Sequence, residues 1–159
     1  MLALLIIIYI SFISLGLPDS LLGSAWPVMY EELSVPVSHA GILSMIVSLG
    51  TVVSSFLSAK LIERFGTGRV TLVSVAMTAI ALIGFGLSHS FIPLLFFAIP
   101  LGLGAGSVDA ALNNFVALHY KAKHMNWLHS FWGVGATTGP VIMSFWLAKK
   151  NNWNMGYIT

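Results

Sequence analysis

The sequence predicts an all-α protein, a polytopic bundle of transmembrane helices. Charged residues make up only 8% of the 159 residues and hydrophobic residues make up 57%, whereas about 25% of the residues in a soluble domain are charged. So few charged side chains cannot cover the surface of a soluble fold of this length, and lipid must therefore be the solvent for much of that surface. The long apolar stretches show no period-2 alternation, which indicates helices rather than membrane-spanning strands.

Five apolar stretches are long enough to cross a bilayer, whose hydrocarbon core of about 30 Å requires about 20 helical residues. They cover approximately residues 2–29, 40–59, 70–88, 91–118 and 127–148. The connections between them hold nearly all of the charged residues. The residues after position 150 are expected to lead into a sixth span that is cut short. We therefore expect residues 1–159 to form one partial transmembrane helical domain with five spans and the start of a sixth.

The first span is expected to be a retained helix, because no positively charged segment precedes its apolar residues as it would in a signal peptide. Pro18 and Pro27 lie inside this span. Proline removes a backbone hydrogen bond and kinks a helix. We therefore expect the helix to be bent or locally unwound near Asp19.

Small residues four positions apart occur in the second, fourth and fifth spans, and this spacing lets helix backbones approach closely in lipid. The repeated small residues are Gly50, Ser54 and Ser58 in the second span, Gly102 and Gly106 in the fourth, and Gly135 and Gly139 in the fifth. We expect these positions to be helix–helix contacts.

The distribution of Lys and Arg predicts the orientation of the chain. The second and fourth connections lie on one side of the membrane and hold five of these residues, whereas the opposite side holds two. Cytoplasmic loops carry an excess of Lys and Arg. The N-terminus is therefore expected in the cytoplasm, with the protein in a plasma (inner) membrane. The basic residues lie in short gaps between apolar runs, so membrane lipid is an expected partner and nucleic acid is not.

Two carboxylates lie inside predicted spans, Asp19 in the first and Asp109 in the fourth. An ionised carboxylate at mid-membrane costs about 2.5–3.5 kcal/mol on insertion scales, which makes such residues candidates for function. At about 1.5 Å per residue the two acids lie on opposite sides of the midplane, roughly 10 Å apart in height. The spacing therefore predicts two separate proton stations rather than a pair that shares one proton.

Polar and aromatic residues near these acids predict a lined cavity. Asn113 shares a helix face with Asp109, four residues before it. His129 and Trp132 share a face of the fifth span, and an imidazole beside an indole can hold a polar, ring-shaped ligand. Each residue also has a structural interpretation. Asp19 could cap a broken half-helix, Asp109 could be a buried structural acid, His129 could be interfacial, and Trp132 could serve packing alone.

Other chemistries are not supported by the pattern. Gly102, Gly104 and Gly106 lie inside an apolar run without a preceding strand, so they do not form a dinucleotide-binding loop. The five histidines lack the spacing and the carboxylate neighbours of a metal site. We therefore expect no enzymatic activity, no cofactor and no metal.

The connection over residues 59–69 resembles the signature loop between the second and third helices of the major facilitator superfamily. Glu63, Arg64, Gly66 and Arg69 match the pattern, while Ala59 replaces its leading glycine. The resemblance implies the N-terminal half of that fold and a gating latch made by these four residues. The alternative is an exposed ion pair, which contributes little stability.

Residues 108–115 and 126–135 are similar to the fucose–proton symporter branch of this superfamily. The resemblance implies proton-coupled symport of a sugar or similar small polar solute, with Asp19 and Asp109 as proton-coupling residues. It also implies that the solute contacts Asn113, His129 and Trp132, and that a second transporter half completes the site. Residues 135–140 instead resemble a motif of drug–proton antiporters. A proton-driven drug or metabolite exporter and a truncated, non-transporting fragment therefore remain alternatives.

Overall fold

The computed structural model describes residues 2–150 and 152–159, so Met1 and Asn151 of the predicted domain lie outside the described residues. The described residues form helices and no strands. The helices are α1 (Leu2–Glu32), α2 (His39–Phe65), α3 (Thr67–Leu87), α4 (Phe91–His119), α5 (Ala122–Lys150) and α6 (Trp153–Ile158). The predicted all-α class is confirmed, and one helix covers each predicted span. The helices extend past the spans because charged residues such as Lys60 and Arg64 still fall within the last turns of α2.

Within the described residues, four helices are long and apolar enough to cross a membrane by length and composition: α2, α3, α4 and the part of α1 over Ala3–Glu32. The fifth predicted span forms a helix of 29 residues but is not in this group. Its glycine, threonine, tryptophan and histidine residues make α5 less apolar than the other four. Packing along α1 covers part of this helix.

Among the described residues, the most extensive helix–helix contact is between α1 and α5. Gly16 of α1 lies against the backbone of Trp132, and Gly135 lies against the carbonyl of Ile13. Gly139 lies against the hydroxyl of Ser20. A methyl group at any of these glycines would overlap the facing helix, so the predicted contact role of Gly135 and Gly139 is confirmed.

A second group of helices forms around α4, with α2 and α3 packed along it. Gly102 of α4 lies against the carbonyl of Val47, and Gly106 lies against the carbonyl of Thr51. The Thr51 hydroxyl donates to the Gly102 carbonyl at 3.3 Å. On the other side of α4, Gly104 lies against α3. The glycines of α4 thus bring both neighbours to backbone distance.

Apolar side chains join the α1–α5 pair to the α2–α3–α4 group. One core cluster contains Ile8, Phe12 and Leu15 of α1, Val108, Leu112 and Val116 of α4, and Leu128 of α5.

The short helix α6 lies at the other end of the bundle, against α1 and α3. Trp153 is fully buried, and its indole nitrogen donates to Glu32 Oε2 at 2.7 Å. The amide of Asn154 donates to the carbonyls of Gly86 and Ser88, at 3.0 and 3.1 Å.

The first helix is continuous through both of its prolines, Pro18 and Pro27. The expected local unwinding is therefore wrong, and so is the alternative that Asp19 caps a broken half-helix. Serine hydroxyls on α1 donate to backbone carbonyls of the same helix, as Ser24 does to Ser20 and Leu21 at 2.9 and 3.0 Å.

Candidate functional site

A hydrogen bond joins the two closely packed helices at Asp19. The indole Nε1 of Trp132 on α5 donates to Asp19 Oδ2 on α1 at 3.0 Å. The bond depends on the glycine contact one turn away, because Gly16 lets the backbone at Trp132 approach α1. Two of the predicted site residues, 113 positions apart in the chain, are thus in direct contact.

Asp109 and Asn113 form the polar edge of α4. The Asn113 amide donates to Asp109 Oδ1 at 3.0 Å and to the Asp109 backbone carbonyl at 2.9 Å. Both residues therefore lie on the same face, as their spacing predicts. The amide fixes the carboxylate on its own helix, whereas Asp19 is held from a neighbouring helix.

The two polar groups interact with each other electrostatically. His129 on α5 interacts with Asp109 on α4, and Asp109 interacts in turn with Asp19 on α1. Each carboxylate has its own hydrogen-bond donor, but two ionised carboxylates in mutual reach repel each other. His129 also packs edge-on against Phe12, with ring centroids 6.1 Å apart.

The site lies on the open side of the bundle. Asp19, Asp109 and His129 are exposed, Asn113 is half-buried, and Trp132 is 40% exposed. Hydrocarbon is a poor environment for such a set, since intramembrane charges face a bundle interior or a water-filled cavity. This side of α1, α4 and α5 is therefore suited to contact with water or with further protein, and not with acyl chains.

A cavity of about 250 Å³ opens beside Asp19. Five helices, α1 to α4 and α6, form its walls. The lining includes Pro18 and Asp19 of α1, Ser44 and Ser48 of α2, Leu101 and Ala105 of α4, and Tyr157 of α6. The sequence reasoning missed Ser44 and Ser48. Their spacing of four residues could have predicted this wall, because two hydroxyl side chains four positions apart lie on the same face of a helix.

The four residues of the predicted gating latch surround the link between α2 and α3. Gly66 alone joins the two helices, with φ 79° and ψ 152°, a conformation that is essentially restricted to glycine. Glu63, Arg64 and Arg69 are exposed. The Arg64 guanidinium lies 5.4 Å from the centroid of the Phe65 ring. Across residues 2–150 and 152–159 none of the three charged residues forms an ion pair, so the latch stays a prediction.

Long apolar helices with a polar cluster where α1, α4 and α5 meet define an integral membrane protein of the polytopic helical class. Within that class, the chain belongs to the Major Facilitator Superfamily, whose family model matches residues 8–159. The match confirms the resemblance seen in the α2–α3 connection. It also places α1 to α6 in a family of membrane transporters.

Several relatives are similar to this chain at low identity. The glucose/mannose transporter GlcP of Bacillus subtilis (strain 168) is 22% identical over 151 residues, covering 94% of this chain and 37% of that protein. Synaptic vesicle glycoprotein 2A of Rattus norvegicus is 26% identical over 124 residues, or 76% of this chain and 17% of that protein. Bypass of stop codon protein 6 of Saccharomyces cerevisiae is 24% identical, with 94% of this chain and 30% of that protein covered. The chain thus spans less than two fifths of each relative.

Proposed function

We propose that this chain is part of a secondary active transporter that moves a sugar or similar small polar solute together with protons. The observation that carries the proposal is the carboxylate of Asp19, held by Trp132 and in electrostatic reach of Asp109 on an open face of the bundle. A pure packing role requires neither two interacting acids nor an exposed indole. The mechanism involves no covalent chemistry and no cofactor.

Trp132 connects the proton to the solute in this mechanism. When Asp19 is ionised, its charge strengthens the hydrogen bond from the indole, because charge-assisted bonds are roughly twice as strong as neutral ones. Protonation of Asp19 weakens the bond and frees the indole N–H for a solute oxygen. The flat face of the same ring is available to a sugar ring throughout.

Asp109 forms the second proton station. The Asn113 amide donates to its carboxylate and to its backbone carbonyl, so the Asn113 amide oxygen and the His129 ring are the groups left for a solute hydroxyl. Because the two acids repel each other when both are ionised, a proton bound at one station changes the occupancy of the other. Two interacting stations on separate helices support proton-coupled symport better than a single buried acid would.

The solute class is supported by the residue types and by one relative. An amide, an imidazole, two carboxylates and an indole face offer many hydrogen-bonding groups beside one stacking surface, a combination suited to a hydroxyl-rich ring. The chain is similar to a protein named as a glucose/mannose transporter. The glycines of the 135–140 segment pack against α1, so this segment gives the exporter alternative no separate support.

The proposal includes the membrane topology and the remaining partners. The Lys- and Arg-rich connections support a cytoplasmic N-terminus in a plasma (inner) membrane. A second helical half would cover the open face of α1, α4 and α5 and complete the solute site between the halves. Glu63, Arg64, Gly66 and Arg69 would then act as the gating loop against that half.

Uptake by the longest gene product that contains this chain, reconstituted in liposomes, tests the proposal. A pH gradient should drive uphill accumulation of a radiolabelled sugar. Asp109→Asn and Asp19→Asn should each abolish accumulation while sparing solute exchange. Normal accumulation in both variants would remove proton coupling from these acids. Efflux of amphipathic drugs without sugar counterflow would instead establish the exporter, and a chain that transports nothing until a longer product is supplied would be a fragment.

A further inference from the structure

An apolar groove lies on the side of the bundle formed by α2, α3 and α4. It has a volume of about 440 Å³, within the range of about 300–1,000 Å³ that small-molecule pockets occupy. Leu57 and Leu61 of α2 form one wall, Val73 and Met77 of α3 form the other, and Leu103 of α4 lies at the base. This groove does not include the cavity beside Asp19.

The groove follows from how α2 and α3 pack on α4. Ser54 of α2 contacts Gly106, and Ser74 of α3 contacts Gly104, so each helix is close to α4 but makes little contact with the other. The Ser54 hydroxyl donates to the Thr51 carbonyl of its own helix at 3.1 Å. The space between α2 and α3 is therefore a slot with α4 at its base and mainly apolar side chains along its walls.

The slot has a single charged residue in its lining, Arg69. Arg69 is exposed and, within the described part of the chain, forms no hydrogen bond or ion pair. The connection around Arg69 has a net positive charge, because it contains Lys60, Arg64 and Arg69 but only one acidic residue, Glu63. An apolar slot that ends at an unpaired guanidinium is complementary to an amphiphile with an anionic head.

We propose that this slot binds one anionic phospholipid, with an acyl chain between α2 and α3 and the phosphate at Arg69. The guanidinium forms paired hydrogen bonds with phosphate oxygens, and basic pockets between transmembrane helices bind anionic head groups. The apolar walls are half-exposed in the chain alone, with Leu57 at 49% and Val73 at 58% exposure. An acyl chain covers them without any polar partner. The site uses neither acid nor the open face, and it shares only Arg69 with the proposed gating loop.

Native mass spectrometry of the purified chain tests the proposal directly. Phosphatidylglycerol and phosphatidylcholine with the same acyl chains are titrated into the protein in mild detergent. The wild-type chain should retain one phosphatidylglycerol molecule in preference to phosphatidylcholine. Arg69→Gln should lower that preference about fivefold, the effect of one basic residue at a lipid surface. Lys121→Gln removes the same charge from another connection and should leave the preference unchanged.

A second pair of variants separates the slot from the charge. Val73→Trp fills the slot from an exposed position and should abolish retention of both lipids. Leu72→Trp, at the neighbouring exposed position outside the lining, should retain them. Equal retention of both lipids by the wild-type chain would overturn the proposal, as would displacement of the phospholipid by oleate at equal concentration. A lipid-free dimer in place of the lipid complex would show that a second copy covers the slot. Each outcome is read without a transport assay.

Discussion

The contact between α1 and α5 at Gly135 allows a sharp test of the packing. A Cβ atom at Gly135 would collide with the carbonyl oxygen of Ile13, a backbone atom that cannot rotate away. Alanine fits only if the two helices separate, and overpacking of this kind costs about 1–3 kcal/mol. Gly135→Ala should therefore destabilise the bundle, although alanine is the better helix former.

Gly133 on the same helix supplies the matched control. A Cβ atom there meets nothing within 4 Å, so Gly133→Ala should be neutral or should stabilise the helix by about 0.5–1 kcal/mol. The two variants have the same composition and opposite expected signs. Thermal unfolding in detergent, followed by intrinsic fluorescence, measures the difference. A loss of about 2 kcal/mol lowers the midpoint by about 4–8 °C for a chain of this length.

The reasoning would be refuted by equal midpoints for Gly135→Ala and Gly133→Ala. Such a result would mean that α1 and α5 do not approach to backbone distance. The bond between Asp19 and Trp132 would lose its geometric basis as well, because Trp132 lies within one turn of the same contact.

Two further predictions concern single residues. Trp132→Phe keeps the aromatic face but removes the indole donor to Asp19. A hydrogen bond to a charged group contributes about 1.5–3 kcal/mol when it is shielded from water and less at this exposed position. Uphill uptake should therefore fall several-fold while solute exchange persists. Unchanged accumulation in liposomes would exclude Trp132 from coupling. Gly66→Ala should destabilise the chain by about 1–3 kcal/mol, because φ 79° with ψ 152° strains any other residue. Gly68→Ala, inside α3 with nothing within 4 Å, is its control in thermal unfolding, and equal stability of the two would contradict the assigned turn.

The sequence predicted the helices well because hydropathy and length determine which segments can cross a membrane. It placed the end of the second span near residue 59, whereas α2 continues to Phe65, because apolar character stops at the lipid boundary and backbone hydrogen bonding does not. The predicted local unwinding of α1 was wrong, because α1 stays helical through Pro18 and Pro27. Proline is tolerated in a transmembrane helix where local adjustments or neighbouring groups satisfy the freed carbonyls.

Single residues of the site were predictable from charge and depth, but their partners were not. Asp19 and Asp109 stand out in any apolar segment, and Asn113 follows from the helical repeat. The bond from Trp132 to Asp19 depends on which faces of α1 and α5 meet, and this is fixed by Gly16 together with Gly135. Small-residue spacing marks a contact face without naming the partner helix.

The two acids belong to different packing groups, since Asp19 is on α1 and Asp109 is on α4. Backbone-to-backbone glycine contacts hold the helices together within each group, whereas apolar side chains fill the boundary between the groups. In the proposed mechanism, a proton that neutralises Asp19 or Asp109 therefore changes the charge at that boundary, and the two groups can shift relative to each other without any helix having to unfold.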